Sequence, residues 1–188
     1  ISSAAIAVSG TVSDASVVVV RVNGVSAAVA DGTFTATVPA SDGPATLQAV
    51  AEDAAGNTAS FNVPVTVDTV TPEVTIAAPG GGSILRGPVV TVTGTVADAT
   101  PTIVLVNGTP AAVAGSAFTA AVPVNDGAVT LSVVATDAAG NTATTATSVT
   151  VDSVAPVLRI SAPAPGSNTN AAAIHIAGAV DDATTVTL

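Results

Sequence analysis

A shift of 84 residues lays this chain onto itself without a gap. Gly10 returns as Gly94 and Gly178, Val12 as Val96 and Val180, and Asp14 as Asp98 and Asp182. Further along, Asn23-Gly24 matches Asn107-Gly108, Phe34 matches Phe118, Asp42-Gly43 matches Asp126-Gly127, and Val67-Asp68 matches Val151-Asp152. Of the 68 pairs from 1/85 to 68/152, 36 are identical, too many for two unrelated segments converging on one pattern. A fixed offset of this kind marks tandem copies of one structural unit. The expected units are 1–68, without a first strand, 69–152, complete, and 153–188, the start of a third.

The segment PEVTIAAPGGGS at 72–83 precedes the second unit and has no counterpart ahead of the first, while Leu188 aligns with Val104 inside an apolar strand. The expectation is therefore a window onto a longer array.

Within the unit, alternation sets the secondary structure. Val90 to Val96 alternates apolar and hydroxyl residues, which gives a strand one buried and one wet face. In the complete unit the other expected strands run from Glu73 to Ala77, Thr102 to Val106, Ala111 to Val113, Phe118 to Val122, Ala128 to Thr136 and Thr142 to Val151. Asn107-Gly108 suits a two-residue hairpin turn, because both positions need positive φ. Composition agrees: Ala, Val and Thr dominate, and only Phe34, Phe61 and Phe118 are aromatic. β-branched residues fit a pleated, half-buried surface, and no stretch sustains a helical period. Seven short strands with frequent turns describe an all-β fold of tandem antiparallel two-sheet sandwiches.

The V-N-G hairpin, the strand ending in D-A-A-G-N (Asp53–Asn57 and Asp137–Asn141) and the exit V-T-V-D-x-V-x-P resemble the bacterial immunoglobulin-like repeats of large extracellular adhesins and surface filaments. The resemblance implies a cell-surface or extracellular structural protein, with calcium at the junctions between domains. Unlike vertebrate immunoglobulin domains, the unit has neither a Cys pair nor a core Trp.

Charge narrows the partners. Thirteen acids face three bases, Arg21, Arg86 and Arg159, for a net charge of -10. Such a surface repels phosphate backbones and attracts divalent cations, so nucleic acid is excluded as a partner class. With no Cys there are no disulfides, thiolate chemistry or Cys-based zinc sites. Without Lys, Lys–Asn isopeptide cross-links are excluded as well. No apolar run reaches the roughly 18 residues of a membrane helix.

Enzymatic chemistry finds no foothold. A hydrolytic triad needs a base beside its nucleophile, yet the one histidine, His175, aligns with Thr91 and Ala7 on the outward face of a strand. Asp181-Asp182 falls in a turn, and the second acid recurs as Asp14 and Asp98, so it marks the repeat and not one active site. Gly80-Gly81-Gly82 follows Pro79 with no helix behind it to make a phosphate loop. The sequon Asn107-Gly108-Thr109 is already accounted for by the turn.

A metal-bearing junction is the sharper expectation. In an alternating sandwich, the turns after the second, fourth and sixth strands share the pole that faces the preceding unit. The last strand ends at the opposite pole. Asp68 should then approach Asp98, Asp137 and Asn141, and Asp152 should approach Asp182. Converging carboxylates meet the calcium preference for roughly six to eight oxygens. Turn chemistry alone also explains the same residues: Asp accepts hydrogen bonds from the following N–H groups, and Gly and Asn tolerate positive φ.

Two further features bear on partners. Val17 to Val20 with Val22, and Ile103 with Leu105, make both faces of one strand apolar. With mean hydropathy +0.70 this suggests contacts between copies as well as between neighbouring units. Two functions are expected from different classes: a structural stalk or filament, or an accessory module of a secreted polysaccharide-active enzyme. The absence of Trp and Tyr weighs against the second, because carbohydrate platforms present aromatic side chains.

Overall fold

The computed structural model describes residues 3–16 and 18–181, and every ordered element in them is a strand. In the first unit these are β1 (Ser3–Thr11), β2 (Val19–Val22), β3 (Val25–Ser26), β4 (Ala28–Ala30), β5 (Thr33–Ser41), β6 (Gly43–Glu52) and β7 (Thr58–Val67). They form two antiparallel sheets, ordered β1-β5-β4 and β3-β2-β6-β7. Alternation is visible along β5, where Phe34, Ala36 and Val38 point inward and the intervening residues face solvent. Val20 and Val22 of β2 meet them from the other sheet.

The second unit repeats this plan with a strand pair in front: β8 (Glu73–Ala78), β9 (Ile84–Leu85), β10 (Val89–Ala97), β11 (Thr102–Val106), β12 (Thr109–Pro110), β13 (Ala112–Ala114), β14 (Ala117–Pro123), β15 (Gly127–Asp137) and β16 (Thr142–Val151). The sheets are β13-β14-β10-β8 and β12-β11-β15-β16-β9. Thirteen buried residues join into one core, among them Val92, Val104, Phe118, Leu131 and Val133. Each fully buried Val or Leu contributes about 1.5–3 kcal/mol. Two further strands, β17 (Val157–Ala162) and β18 (Ala177–Asp181), pair with each other.

The Asn-Gly hairpins adopt the expected geometry, with φ of 47° at Asn23 and 46° at Asn107, each followed by a positive-φ glycine. The side chain adds a reason for Asn itself. Asn107 Oδ1 accepts from Ser132 N at 2.8 Å and its Nδ2 donates to Thr130 C=O at 3.0 Å, so the turn is tied to β15. Asn23 binds Gln48 and Thr46 in the same way.

Two features depart from the sequence-based outline. The single strand expected at 111–113 is divided: Thr109–Pro110 pairs with β11, whereas Ala112–Ala114 pairs with β14 in the other sheet. The crossing does not depend on the proline: Ala111 N still donates to Val104 C=O at 2.9 Å before the chain passes to the other sheet, as Ala27 N does to Val20 C=O at 2.9 Å in the first unit, where Ser26 stands in place of Pro110. The second is an added strand: the leading strand forms as expected as β8, antiparallel to β10, and the two-residue β9 beyond it runs parallel to β16. Gly94 lets β8 come close, since a Cβ on it would collide with Thr75 C=O and the Phe118 ring. In the first unit the corresponding position is a groove of about 780 Å³, lined by residues including Val8, Val12, Phe34, Phe61 and Val63. Val8 and Val12 are half-buried there, whereas their counterparts Val92 and Val96 are buried under β8. His175 lies outside any strand and is exposed, and Asp181 ends β18 instead of lying in a turn.

Candidate metal centre at the junction of two units

Asp68 directly follows β7, Asp98 directly follows β10, Asp137 ends β15 and Asn141 precedes β16. Alternating strand direction brings these four positions to one place, the end of the first unit against the near pole of the second. One carboxylate oxygen from each of Asp68, Asp98 and Asp137 lies within 4.8 Å of the others. Ligands of one calcium ion sit at about 2.3–2.6 Å, so two of them are at most about 5 Å apart. The three side chains thus lie within reach of a common cation.

Direct hydrogen bonds also cross the junction. Thr100 Oγ1 donates to Asp68 Oδ2 at 3.0 Å, and Asn141 Nδ2 donates to the Asp68 carbonyl at 3.0 Å. Thr100 escaped the sequence reading, although its spacing from Asp98 is a signal: Thr100 N and Oγ1 both reach Asp98 Oδ1 at 2.8 Å. Ser16 binds Asp14 in the same fashion in the first unit. A hydroxyl two residues after the acid closes this turn.

The DAAGN turn is built identically in both units. Asp137 Oδ1 accepts from Ala139 N and Asn141 N, and Oδ2 accepts from Asn141 Nδ2. Asp53 makes the same three bonds with Ala55 and Asn57. Gly56 and Gly140 take φ of 88° and 94°. The turn therefore needs no ligand to form. What differs is its surroundings: Asp137 is 6% exposed beneath the first unit, whereas Asp53 is half-buried and Asn57 exposed.

Electrostatics follows the same division. Burial is the largest influence on Asp137 and raises its pKa, but hydrogen bonds from the Asn141 side chain and backbone, Gly140 and Ala139 outweigh it and hold the carboxyl below 3.8. At Asp53 the Asn57 side chain leads, and the carboxyl is again lowered.

Of the remaining site residues expected from sequence, Asp152 closes the second unit as Asp68 closes the first. Its Oδ1 accepts from Val154 N at 3.0 Å. Its expected partner Asp182 lies outside the described residues, so the second junction is not in view. Among the described residues no helix is long and apolar enough to cross a membrane.

The comparisons with known proteins agree with this architecture. Bacillopeptidase F of Bacillus subtilis (strain 168) is 38% identical over 144 residues, covering 76% of this chain and 10% of the relative. The chain thus spans about a tenth of that protein's length. Among solved structures, the fibronectin(III)-like modules of Clostridium thermocellum CbhA superpose with a TM-score of 0.53 at 20% identity, over 79% of this chain and 85% of theirs. At that identity the likeness concerns the fold, an immunoglobulin-like β-sandwich. The profile of the family described as "Glucodextranase, domain B" matches residues 2–69 and again 72–153, and the chain belongs to that family.

Proposed function

We propose that this chain is a tandem spacer in a long bacterial extracellular or cell-surface protein, serving as a stalk or filament and performing no catalysis itself. The units are 1–68, 69–152 and 153–188. The observation that supports the reading is the seating of Asp68 beside Asp98, Thr100 and Asn141 of the next unit, contacts that would hold one sandwich at a set attitude to another. The mechanism is mechanical: each unit adds a set length, and the junction sets the bend.

Calcium fits this junction. Asp68, Asp98 and Asp137 would hold the ion. Asn141, expected from sequence as a neutral ligand, instead turns its Nδ2 to Asp68 and Asp137 and braces the site. Asp152 with Asp182 would serve the next junction. The bound ion would offset the mutual repulsion of three carboxylates. Copies of the chain would meet through the exposed outer faces of β2 and β11, where Val19 is 50% and Ile103 68% exposed. Side-by-side contacts in electron micrographs of native material test that point, and isolated beaded threads contradict it.

Small-angle scattering tests the spacer reading. A rigid elongated particle supports it, and a profile that requires a broad ensemble of attitudes between the two units contradicts it. A second reading, an accessory module of a polysaccharide-active enzyme, is favoured by the family description, while the relative named as a peptidase supports an accessory place in an enzyme without favouring polysaccharide as its substrate. Retardation in gels containing soluble glucans would support this alternative, and unchanged mobility would count against it.

A further inference from the structure

Each of the first two units grips the chain that leaves it. In the first, Asp42 lies in the turn between β5 and β6, and Thr69 is the second residue after β7. Asp42 Oδ1 accepts from Thr69 N at 2.8 Å, and Oδ2 accepts from the Thr69 hydroxyl at 3.0 Å. The second unit repeats the arrangement 84 residues on. Asp126 Oδ1 accepts from Ser153 N at 3.0 Å, and both its oxygens lie 2.7 Å from the Ser153 hydroxyl. One residue earlier the carboxylate of the strand-ending acid folds forward: Asp68 Oδ1 accepts from Val70 N at 3.1 Å, as Asp152 Oδ1 does from Val154 N at 3.0 Å. Two consecutive linker amides are therefore held by carboxylates of the unit being left, before the next unit begins.

We propose that Asp42 and Asp126 are positioning residues that fix the direction in which the chain leaves each unit, and so set the attitude of the next. Hydrogen bonds to a charged acceptor are about twice as strong as neutral ones, and a linker with two restrained amides has few conformers left to sample. The pair Asp–Thr in one unit and Asp–Ser in the other preserves what the latch needs, a carboxylate opposite an N–H and a hydroxyl on one residue. The bonds made by Asp42 and Asp126 use no oxygen of Asp68, Asp98 or Asp137, so they are separate from the candidate cation site. The inference rests on the spacer reading and names the residues that enforce it.

The test uses spin-label pairs, one on each unit, placed by cysteine substitution in a chain with no cysteine of its own. The unaltered chain is expected to give one narrow distance distribution. Asp42→Ala is expected to broaden it at least twofold with each unit still folded by circular dichroism, Asp42→Asn to restore much of it, and Thr69→Val, which removes only the hydroxyl, to broaden it less. An Asp42→Ala distribution as narrow as the parent's would overturn the latch. If Asp42→Ala does not fold, an unchanged distribution for Thr69→Val overturns it instead. A distribution already broad in the unaltered chain would contradict the spacer reading itself, so the two failures are distinguishable.

Discussion

Asn141 donates its side-chain amide to the carbonyl of Asp68, 73 residues earlier in the chain and in the preceding sandwich. Its counterpart Asn57 makes the same turn with Asp53 and has no described hydrogen bond to a preceding unit. The same turn sequence thus occurs once with and once without a described hydrogen bond to another unit.

Asn141→Ala is accordingly expected to cost about 1 kcal/mol more than Asn57→Ala, the net contribution of one additional neutral hydrogen bond. Denaturant unfolding of the two variants measures the difference. Equal costs would mean that the bond to Asp68 adds nothing.

The acid limb of stability should carry the signature of Asp137. Its folded carboxyl is lowered from 3.8, so its contribution is fully present above that value and is lost as the pH falls through the lower folded value. Asp137→Asn should flatten the decline in denaturation midpoint as the pH falls below 3.8. A decline of unchanged steepness would contradict the assignment.

Glycine at position 94 is expected to be indispensable for β8. Gly94→Ala places a methyl group against Thr75 C=O and Phe118, and overpacking of this kind costs about 1–3 kcal/mol. The three atoms nearest a Cβ on Gly10 all belong to the Phe34 ring, a side chain that can shift where backbone cannot, so Gly10→Ala should cost less. Thermal melts of the two variants decide it.

Core truncation should follow cover. Leu131 is 0% exposed and Leu47, its counterpart beside the groove, 8%. Leu131→Ala is expected to cost about 3 kcal/mol, and Leu47→Ala less, as read by urea midpoints.

The sandwich and its junction were legible in the sequence for different reasons. Val90, Val92 and Val96 alternate with hydroxyl residues, and that local pattern was enough to place β10 within a residue at each end. Asp68, Asp98 and Asp137 could be brought together because strands that alternate direction send every second turn to the same pole. What escaped depended on non-local pairing. Ile84–Leu85 is too short to show a period and is a strand only because β16 runs beside it. Strand alternation brings Asp68 to the turn at Asp98 and the end of β7 to the turn at Asp42, but it does not show which hydroxyl or amide meets which carboxylate, so the bonds of Thr100 and Thr69 were not legible.

Calcium, if it occupies the junction, should raise the melting temperature by mass action. The rise should disappear with EGTA and in Asp68→Ala. A midpoint indifferent to calcium, EGTA and that substitution would remove the ion from the account while leaving the direct contacts in place.

Residual dipolar couplings of the first and second units, collected in one alignment medium, test the fixed junction most directly. Couplings from residues 3–67 and 73–151 that fit a single alignment tensor are the expected result. Two tensors of different magnitude and orientation would mean that the sandwiches move independently, and would contradict it.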